Sequence, residues 1–371
     1  MKYKHYFLSD LVTIKYGKNQ KKVVSEYGNV PIYGTGGLMG YATDFLYDKP
    51  SVLIGRKGTI SKVKYVEQPF WTVDTLFYTV INTDLVIPKY LYYVMLQLDL
   101  NNYNEGTTIP SLRRETLYNL EFDIPPIDEQ KKIISCLKPL EEKIVNNNEI
   151  NNNLEQQAQA LYQELFITNA NPEWKTGTIN DIGTVVGGST PSKSKPEYYT
   201  EKGIAWITPK DLSVNKFKFV VRGENDITET GLKNSSASIM PKGTVLFSSR
   251  APIGYIAIAA GEVTTNQGFK SVVPKPEIGT PFIYYFLKAN LQVIEGMASG
   301  STFKEVSGST MKIVPAFIPD VETISSFNDF CIPLFAQQRV LEEQNKALSS
   351  IRDGLLPKLM SGELDVSDID L

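Results

Sequence analysis

Gly187-Gly188-Ser189-Thr190-Pro191-Ser192-Lys193-Ser194 nearly matches the phosphate loop G-x-x-x-x-G-K-[ST]. Ser192, however, stands where the second glycine must let the backbone wrap a phosphate. Pro191 removes an N–H, and Pro196 occupies the start of the helix that should follow. Nucleotide binding is not expected here. Gly34-Thr35-Gly36-Gly37-Leu38-Met39-Gly40 puts Met39 in the third glycine place of a dinucleotide fingerprint and reads as a turn. Glu129-Gln130-Lys131 has the E-x-K spacing of nucleases, but no metal-binding carboxylate lies near it in sequence, and a solvated helix face is the simpler reading. One histidine, His5, and two cysteines, Cys136 and Cys331, argue against His-based metal sites, Cys-rich zinc modules, a Ser-His-Asp triad and a disulfide framework. His5 reads as a surface residue and the cysteines as packing residues. No Asp/Asn-Pro-Pro-Tyr run is present to hold a flipped adenine.

The elements that would carry any other chemistry come from a chain of 371 residues, 42% hydrophobic with 26 glycines, long enough for two to three domains with a sizeable core. MKYKHYFLSDL has no long apolar leader and no run approaches a membrane span, which predicts a soluble, cytoplasmic protein. Net charge is 38 − 41 = −3, but acid concentrates in residues 126–168 (4 basic, 7 acidic) and 321–371 (4 basic, 9 acidic). Residues 1–125 and 169–320 are slightly basic, at +2 and +3. Charge alone neither supports nor excludes DNA.

The chain contains itself twice. Ser51-Val52-Leu53-Ile54 aligns with Thr244-Val245-Leu246-Phe247 at an offset of 193, and Tyr90-Leu91-Tyr92-Tyr93 with Ile283-Tyr284-Tyr285-Phe286. The offset becomes 194 at Gly106-Thr107-Thr108-Ile109 against Gly300-Ser301-Thr302-Phe303, and at Ile124-Pro125 against Ile318-Pro319. Ser9-Asp10-Leu11 matches Asn180-Asp181-Ile182 at 171, so the second copy carries roughly 22 extra residues early on. Each copy opens with short β-type runs (Val52 to Ile54, Val63 to Val66, Leu76 to Ile81, Thr244 to Phe247, Ile256 to Ala259) punctuated by glycine turns. Helices at about 88–100 and 281–295 carry the aromatic clusters. An α+β fold with two pseudo-repeated globules follows.

A long helix closes each copy. Asp128 is its expected N-cap in the first, and Pro139 the one place for a kink. With Ile133 at heptad position d, Leu137, Ile144, Asn151, Ala158 and Leu165 fall at a, and Leu140, Asn147, Leu154 and Leu161 at d. Leu334, Leu341, Leu348 and Leu355 recur at sevens in the second, with Ile351 at d. Residues 129–166 would span about 57 Å at about 1.5 Å per residue. Either each helix packs on its own globule, or the two pair as an antiparallel coiled coil. Polar Asn147 and Asn151 in the seam favour pairing, because a seam asparagine specifies register. The expected domains are 1–128 and 169–320, with helices at 129–168 and 321–371.

Ile124-Pro125-Pro126-Ile127-Asp128-Glu129-Gln130-Lys131-Lys132-Ile133 resembles the opening of the central helix of Type I restriction–modification DNA specificity subunits. Gly188-Ser189-Thr190-Pro191-Ser192, Trp206-Ile207-Thr208-Pro209-Lys210-Asp211-Leu212 and Arg352-Asp353-Gly354-Leu355-Leu356-Pro357-Lys358-Leu359-Met360-Ser361-Gly362-Glu363-Leu364 are similar to further stretches of that family, in the same order. The second copy has the shorter Ile318-Pro319-Asp320 with Glu322, and the first has Tyr16-Gly17-Lys18-Asn19 in place of the Gly-Thr-Pro string. The resemblance implies a non-catalytic subunit with two target recognition domains, each reading half of a split, asymmetric DNA site across an unread spacer. It also implies two adenine methyltransferase subunits docked on the helices, and restriction/translocase subunits recruited to the complex. The S-adenosylmethionine, ATP and Mg would be used by those partners. Half-sites read from one DNA face lie about 34–36 Å apart, which helices of this length could set.

Base readout needs Arg or Lys for guanine and Asn or Gln for adenine, with hydroxyls and amides for phosphate. On that reading the first domain would touch DNA through Lys18, Asn19, Gln20, Lys21 and Lys22, then Tyr33, Thr35, Arg56 and Lys57, then Thr107, Thr108, Arg113 and Arg114. The second would use Ser189, Thr190, Ser192, Lys193 and Lys195, then Thr208 and Lys210, then Ser249, Arg250, Asn266, Gln267, Ser301 and Thr302. Two other readings stay open: an adaptor with a duplicated coiled coil that never touches DNA, and a stand-alone enzyme with a duplicated catalytic domain.

Overall fold

The computed structural model describes residues 3–300, 304–367 and 369. They form two units, one from Met1–Ile144 with Ala347–Leu371 and the other from Val145–Lys346. Among the described residues no helix is long and apolar enough to cross a membrane.

In the first unit, Val12–Tyr16, Leu76–Ile81, Ser51–Gly55 and Val63–Val66 make an antiparallel four-stranded sheet in that spatial order. Ser51–Gly55 is wholly buried, as a central strand with both faces covered must be, and reads as a continuous apolar run. Beside it, Val30–Gly34 pairs with Gly37–Ala42 in a hairpin and runs parallel to Trp71–Thr72. The Gly34–Gly40 string is therefore the turn expected. Lys4–Phe7 zips to Glu121–Ile124 and closes the unit. Tyr90, Leu91 and Tyr93 of helix Pro88–Leu96 fill the core with Leu8, Ile14, Val52, Ile54 and Phe77.

The second unit repeats this order. Gly183–Gly187, Lys270–Pro274, Val245–Ser249 and Ile253–Ala259 correspond strand for strand, and Lys175–Thr178 zips to Pro315–Ile318. Ile204–Ile207 runs parallel to Thr264–Thr265, as Val30–Gly34 does to Trp71–Thr72. Its antiparallel partner is Asn225–Ile227, and most of the extra residues lie between these two strands. They form helix Pro209–Val214 and the short strand Phe219–Val220, which joins the sheet edge parallel to Ile253–Ala259. The expected helix at 281–295 is interrupted at Asn290, giving Thr280–Ala289 and Leu291–Gly296.

The long helices are Ile127–Gln163, followed by a π turn over Glu164–Thr168, and Val321–Ser361. The first starts one residue before Asp128, so Asp128 is not its cap. Pro126 accepts the first amides, from Glu129 and Gln130, and Asp128 sits in the first turn, where the helix dipole favours a carboxylate. Pro139 lies on the solvent side and the helix runs past it unbroken.

The helices pack together antiparallel. In the first unit Ile133 and Leu137 share a core with Leu356 and Leu359. In the second, the Asn147 amide donates to Asn345 (2.9 Å), and the Gln338 amide donates to the Asn151 carbonyl (3.1 Å), so rising numbers on one helix meet falling numbers on the other. Asn147 and Leu341 are buried. Leu140, Ile144, Asn151, Leu154, Leu161, Leu334, Leu348 and Leu355 are half-buried. Ile351 is a correction, because it stands 49% exposed. The line that turns inward is Gln338, Asn345, Arg352 and Leu359, spaced by sevens and mostly polar, so a reading of apolar periodicity passed over it.

Candidate nucleic-acid interface

In each unit a glycine ends the first sheet strand and lets a loop lie against the chain. A Cβ on Gly17 would stand 2.0 Å from the Val73 carbonyl oxygen, and one on Gly188 would stand 1.9 Å from that of Asn266. The loop after Gly17 carries exposed Lys18, Asn19, Lys21 and Lys22 with half-buried Gln20. Trp71 Nε1 donates to the Lys18 carbonyl (2.9 Å), and the Asn19 carboxamide accepts from the Lys21 amide (2.9 Å), which fixes the turn.

Two further loops reach the same end of the first unit. Lys57 bridges to Ser111, and the Gly58 amide donates to the Pro110 carbonyl (2.8 Å). Arg56 and Lys57 therefore lie against the 110–112 end of the loop that carries exposed Thr107 and Thr108, with Thr35 of the hairpin near Gly58. Arg113 pairs with Glu105 (2.9 Å). Arg56 and Arg114 both lie over the ring of Tyr16, at 5.2 and 5.5 Å. Tyr16 escaped the sequence reading, although it directly precedes the glycine and the basic loop. Tyr33 is a correction: it is 6% exposed within the cluster of Leu53, Val66, Phe70 and Leu76, on a strand covered on both faces.

In the second unit the equivalent loops line a cleft of about 700 Å³. Thr190, Lys193, Thr208, Lys210, Arg250, Asn266 and Gln267 line it, joined by Tyr199, Trp206, Asp211 and Glu224. Trp206 is held by its Nε1, which donates to the Ser189 carbonyl (3.0 Å). Ser189 thus serves through its backbone. Thr190 and Gln267 bond each other through their side chains. Thr208 is the N-cap of Pro209–Val214, its hydroxyl donating to Asp211 (2.6 Å), so that hydroxyl is already used by the fold. Lys210 pairs with Glu224 (2.6 Å), which raises its pKa, and Arg250 lies 3.4 Å from Glu305. Ser192 and Lys195 are exposed outside the cleft lining. Ser249 is a correction: it is fully buried, and its hydroxyl donates to the Gly268 carbonyl (3.2 Å). Ser301 and Thr302 lie outside the described residues.

The decoys resolve structurally. The Gly187–Ser194 stretch runs from a strand into a loop and then a short 3₁₀ turn, Pro196–Tyr198. Gln130 of the E-x-K string is buried: its Oε1 accepts from the Ile87 amide (2.8 Å), and its Nε2 donates to the Leu85 and Pro125 carbonyls (both 2.9 Å). That position staples the helix start to the unit and is not a solvated face. Cys331 lies in the core, where burial pushes its thiol up to about 12. His5 is a surface residue 3.1 Å from Asp123. Among the described residues no three His, Cys, Asp or Glu side chains group as metal ligands.

Comparison with known proteins adds a family, two relatives and a solved structure. The family profile of the Type I restriction modification DNA specificity domain matches residues 1–156 and 171–340. The Type I restriction enzyme MjaIX specificity subunit of Methanocaldococcus jannaschii is 40% identical over 191 residues, covering 49% of this chain and 44% of that one. This chain therefore aligns with less than half the length of that relative. The HindI specificity subunit of Haemophilus influenzae is 23% identical over 364 residues, covering 76% and 79%. The crystal structure of a Type I restriction–modification S subunit from M. genitalium superposes with a TM-score of 0.59 at 18% identity, over 97% of this chain and 96% of that one, which shows a shared fold.

Proposed function

Since the chain belongs to the DNA specificity family of Type I restriction–modification systems, we propose that it reads an asymmetric, bipartite site in double-stranded DNA. Residues 1–128 and 169–320 are the two readers. The helices at 129–168 and 321–371 carry two adenine methyltransferase subunits and, through them, the restriction/translocase subunits of a cytoplasmic complex. Methyl transfer, ATP hydrolysis and Mg binding belong to those partners, and this chain supplies recognition.

One observation carries the reading: two units with the same strand order present different side chains from equivalent loops. The first offers a basic loop set with Lys18, Lys21, Lys22, Arg56, Lys57, Arg113 and Arg114. The second offers a cleft in which amides and aromatics stand among mixed charges. Same scaffold with different loops is what two unlike half-sites require.

The test is the methylome of DNA from a methylation-free host expressing the chain with its cognate modification subunit. Adenine methylation at one asymmetric, gapped motif is expected. No methylation from a complex that co-purifies and binds methyl donor would leave an adaptor, and the DNA-reading proposal would fail.

A further inference from the structure

Tyr16 is an aromatic residue left 44% exposed at the end of a sheet strand, with two guanidinium groups on it. Arg56 comes from the loop after Ser51–Gly55, and Arg114 opens the helix Arg114–Tyr118. Their Cζ atoms lie 5.2 and 5.5 Å from the ring centroid, inside cation–π range. Buried Phe77 braces the ring edge-on at 5.1 Å. Arg56 is pinned a second time, donating from Nη1 to the Asp74 carbonyl (2.8 Å), and no carboxylate pairs with it among the described residues. Arg114 also lies over the Tyr118 ring at 6.0 Å, with the exposed Glu115 as its carboxylate at 3.6 Å, and its Nε is buried without a partner, so its terminal nitrogens are what it can offer a ligand. Neighbouring Arg113, by contrast, is satisfied by Glu105 at 2.9 Å.

Two like charges gathered on one ring repel each other, and no carboxylate is placed between them to offset that. Such an arrangement is complete only when acceptors arrive from outside. The planar fork of a guanidinium matches two adjacent acceptors, and a ring contact restrains where that fork can lie. We propose that Tyr16 is a specificity-determining residue of the first reader, which holds Arg56 and Arg114 to read guanine O6 and N7 in the major groove of the first half-site. A phosphate needs only a point charge, which the flexible lysines of the same loop supply. An arginine fixed at both ring and carbonyl matches the planar base edge better. This rests on the two-reader reading. The second reader cannot copy the device: Gly187 stands at the equivalent of Tyr16 and Gly308 at that of Arg114.

The experiment compares methylomes of the wild-type chain, Tyr16→Phe, Tyr16→Ala and Arg56→Lys, each expressed with the modification subunit. The first half-site is expected to contain guanine. Tyr16→Phe keeps the motif because it keeps the ring. Tyr16→Ala and Arg56→Lys relax one guanine of that half-site, losing on the order of 10- to 100-fold discrimination. The second half-site stays intact in both and shows that the chain is folded. An unchanged motif in Tyr16→Ala, a first half-site without guanine, or a uniform loss of binding with a shallower salt slope (the mark of phosphate contact alone) overturns the proposal. A wild-type chain that directs no methylation would instead overturn the two-reader reading.

Discussion

Each unit ties its aromatic helix to Ile127–Gln163 through one glutamate, but with one cation in the first and two in the second. In the first, Glu141 receives Lys89 (2.7 Å) and the hydroxyl of buried Tyr93 (3.1 Å), with Glu141 and Lys89 half-buried. In the second, Glu155 receives Lys288 (2.6 Å) and the Tyr285 hydroxyl (3.0 Å), and a further cation enters, Lys218, from the extra segment. The Lys218 side chain is 7% exposed, lies 4.0 Å from the centroid of Phe335, and also donates to Gln338 (2.7 Å). The Lys218 and Phe219 amides donate to Glu342 (2.7 and 3.0 Å). Burial pushes Glu155 up, but the two lysines outweigh it and leave it at about 2. The lesson is that an inserted segment needs its own attachment. The first unit holds its reader with one ion pair, whereas the second adds a buried lysine from its insertion to an otherwise similar pair.

Breaking that node should produce the largest effect. Glu155→Ala leaves Lys218 buried among rings without its carboxylate, and should destabilise the second unit by about 3–5 kcal/mol. Urea unfolding followed by the fluorescence of Trp174 and Trp206 measures it. A cost no greater than that of Glu141→Ala would erase the contrast.

The same node predicts an acid-sensitive second unit. Glu155 is depressed from an ordinary value of 4.5 to about 2. Its contribution is therefore complete above about pH 4.5 and declines as pH falls toward about 2. Glu155→Gln should flatten that part of the stability curve, and a wild-type slope persisting in the variant would assign it elsewhere. In the first unit Glu141→Ala should cost only about 1–3 kcal/mol, the loss of bonds to one partly exposed carboxylate. The signal is Trp71, its one tryptophan.

The smallest effect concerns the helix seam. Asn147→Ala removes the bond to Asn345 and should cost about 1 kcal/mol, whereas Asn147→Leu with Asn345→Leu should be neutral or stabilising while loosening register. Thermal melting separates the two. A double variant as weak as the single one would mean that the polar pair supports stability and not register.

Legibility followed locality. The duplication was plain because strand and helix periods are written residue by residue and recur at a nearly constant offset. The loops around Lys18, Arg56 and Lys193 were found because polar residues between apolar runs must be at the surface. Tyr33 and Ser249 were misread because their strands are covered on both faces by the rest of the unit, which residue type does not announce. Thr208 was read as a free hydroxyl when it caps a helix. Ile351 was placed in the seam ahead of Arg352 because apolar character was the only guide.

By itself the sequence determined the two copies, the α+β units, the heptad stripe of the first long helix and the family. Those are properties of periodicity and short strings, which neighbouring residues specify. Only the tertiary structure decided which charges meet: Arg56 and Arg114 on Tyr16, Lys218 against Glu155, Asn147 against Asn345. These contacts join residues 40 to about 200 positions apart in the chain. The cost of desolvating a charge, or of leaving it unpaired, is set by what the fold brings beside it and not by its neighbours in sequence.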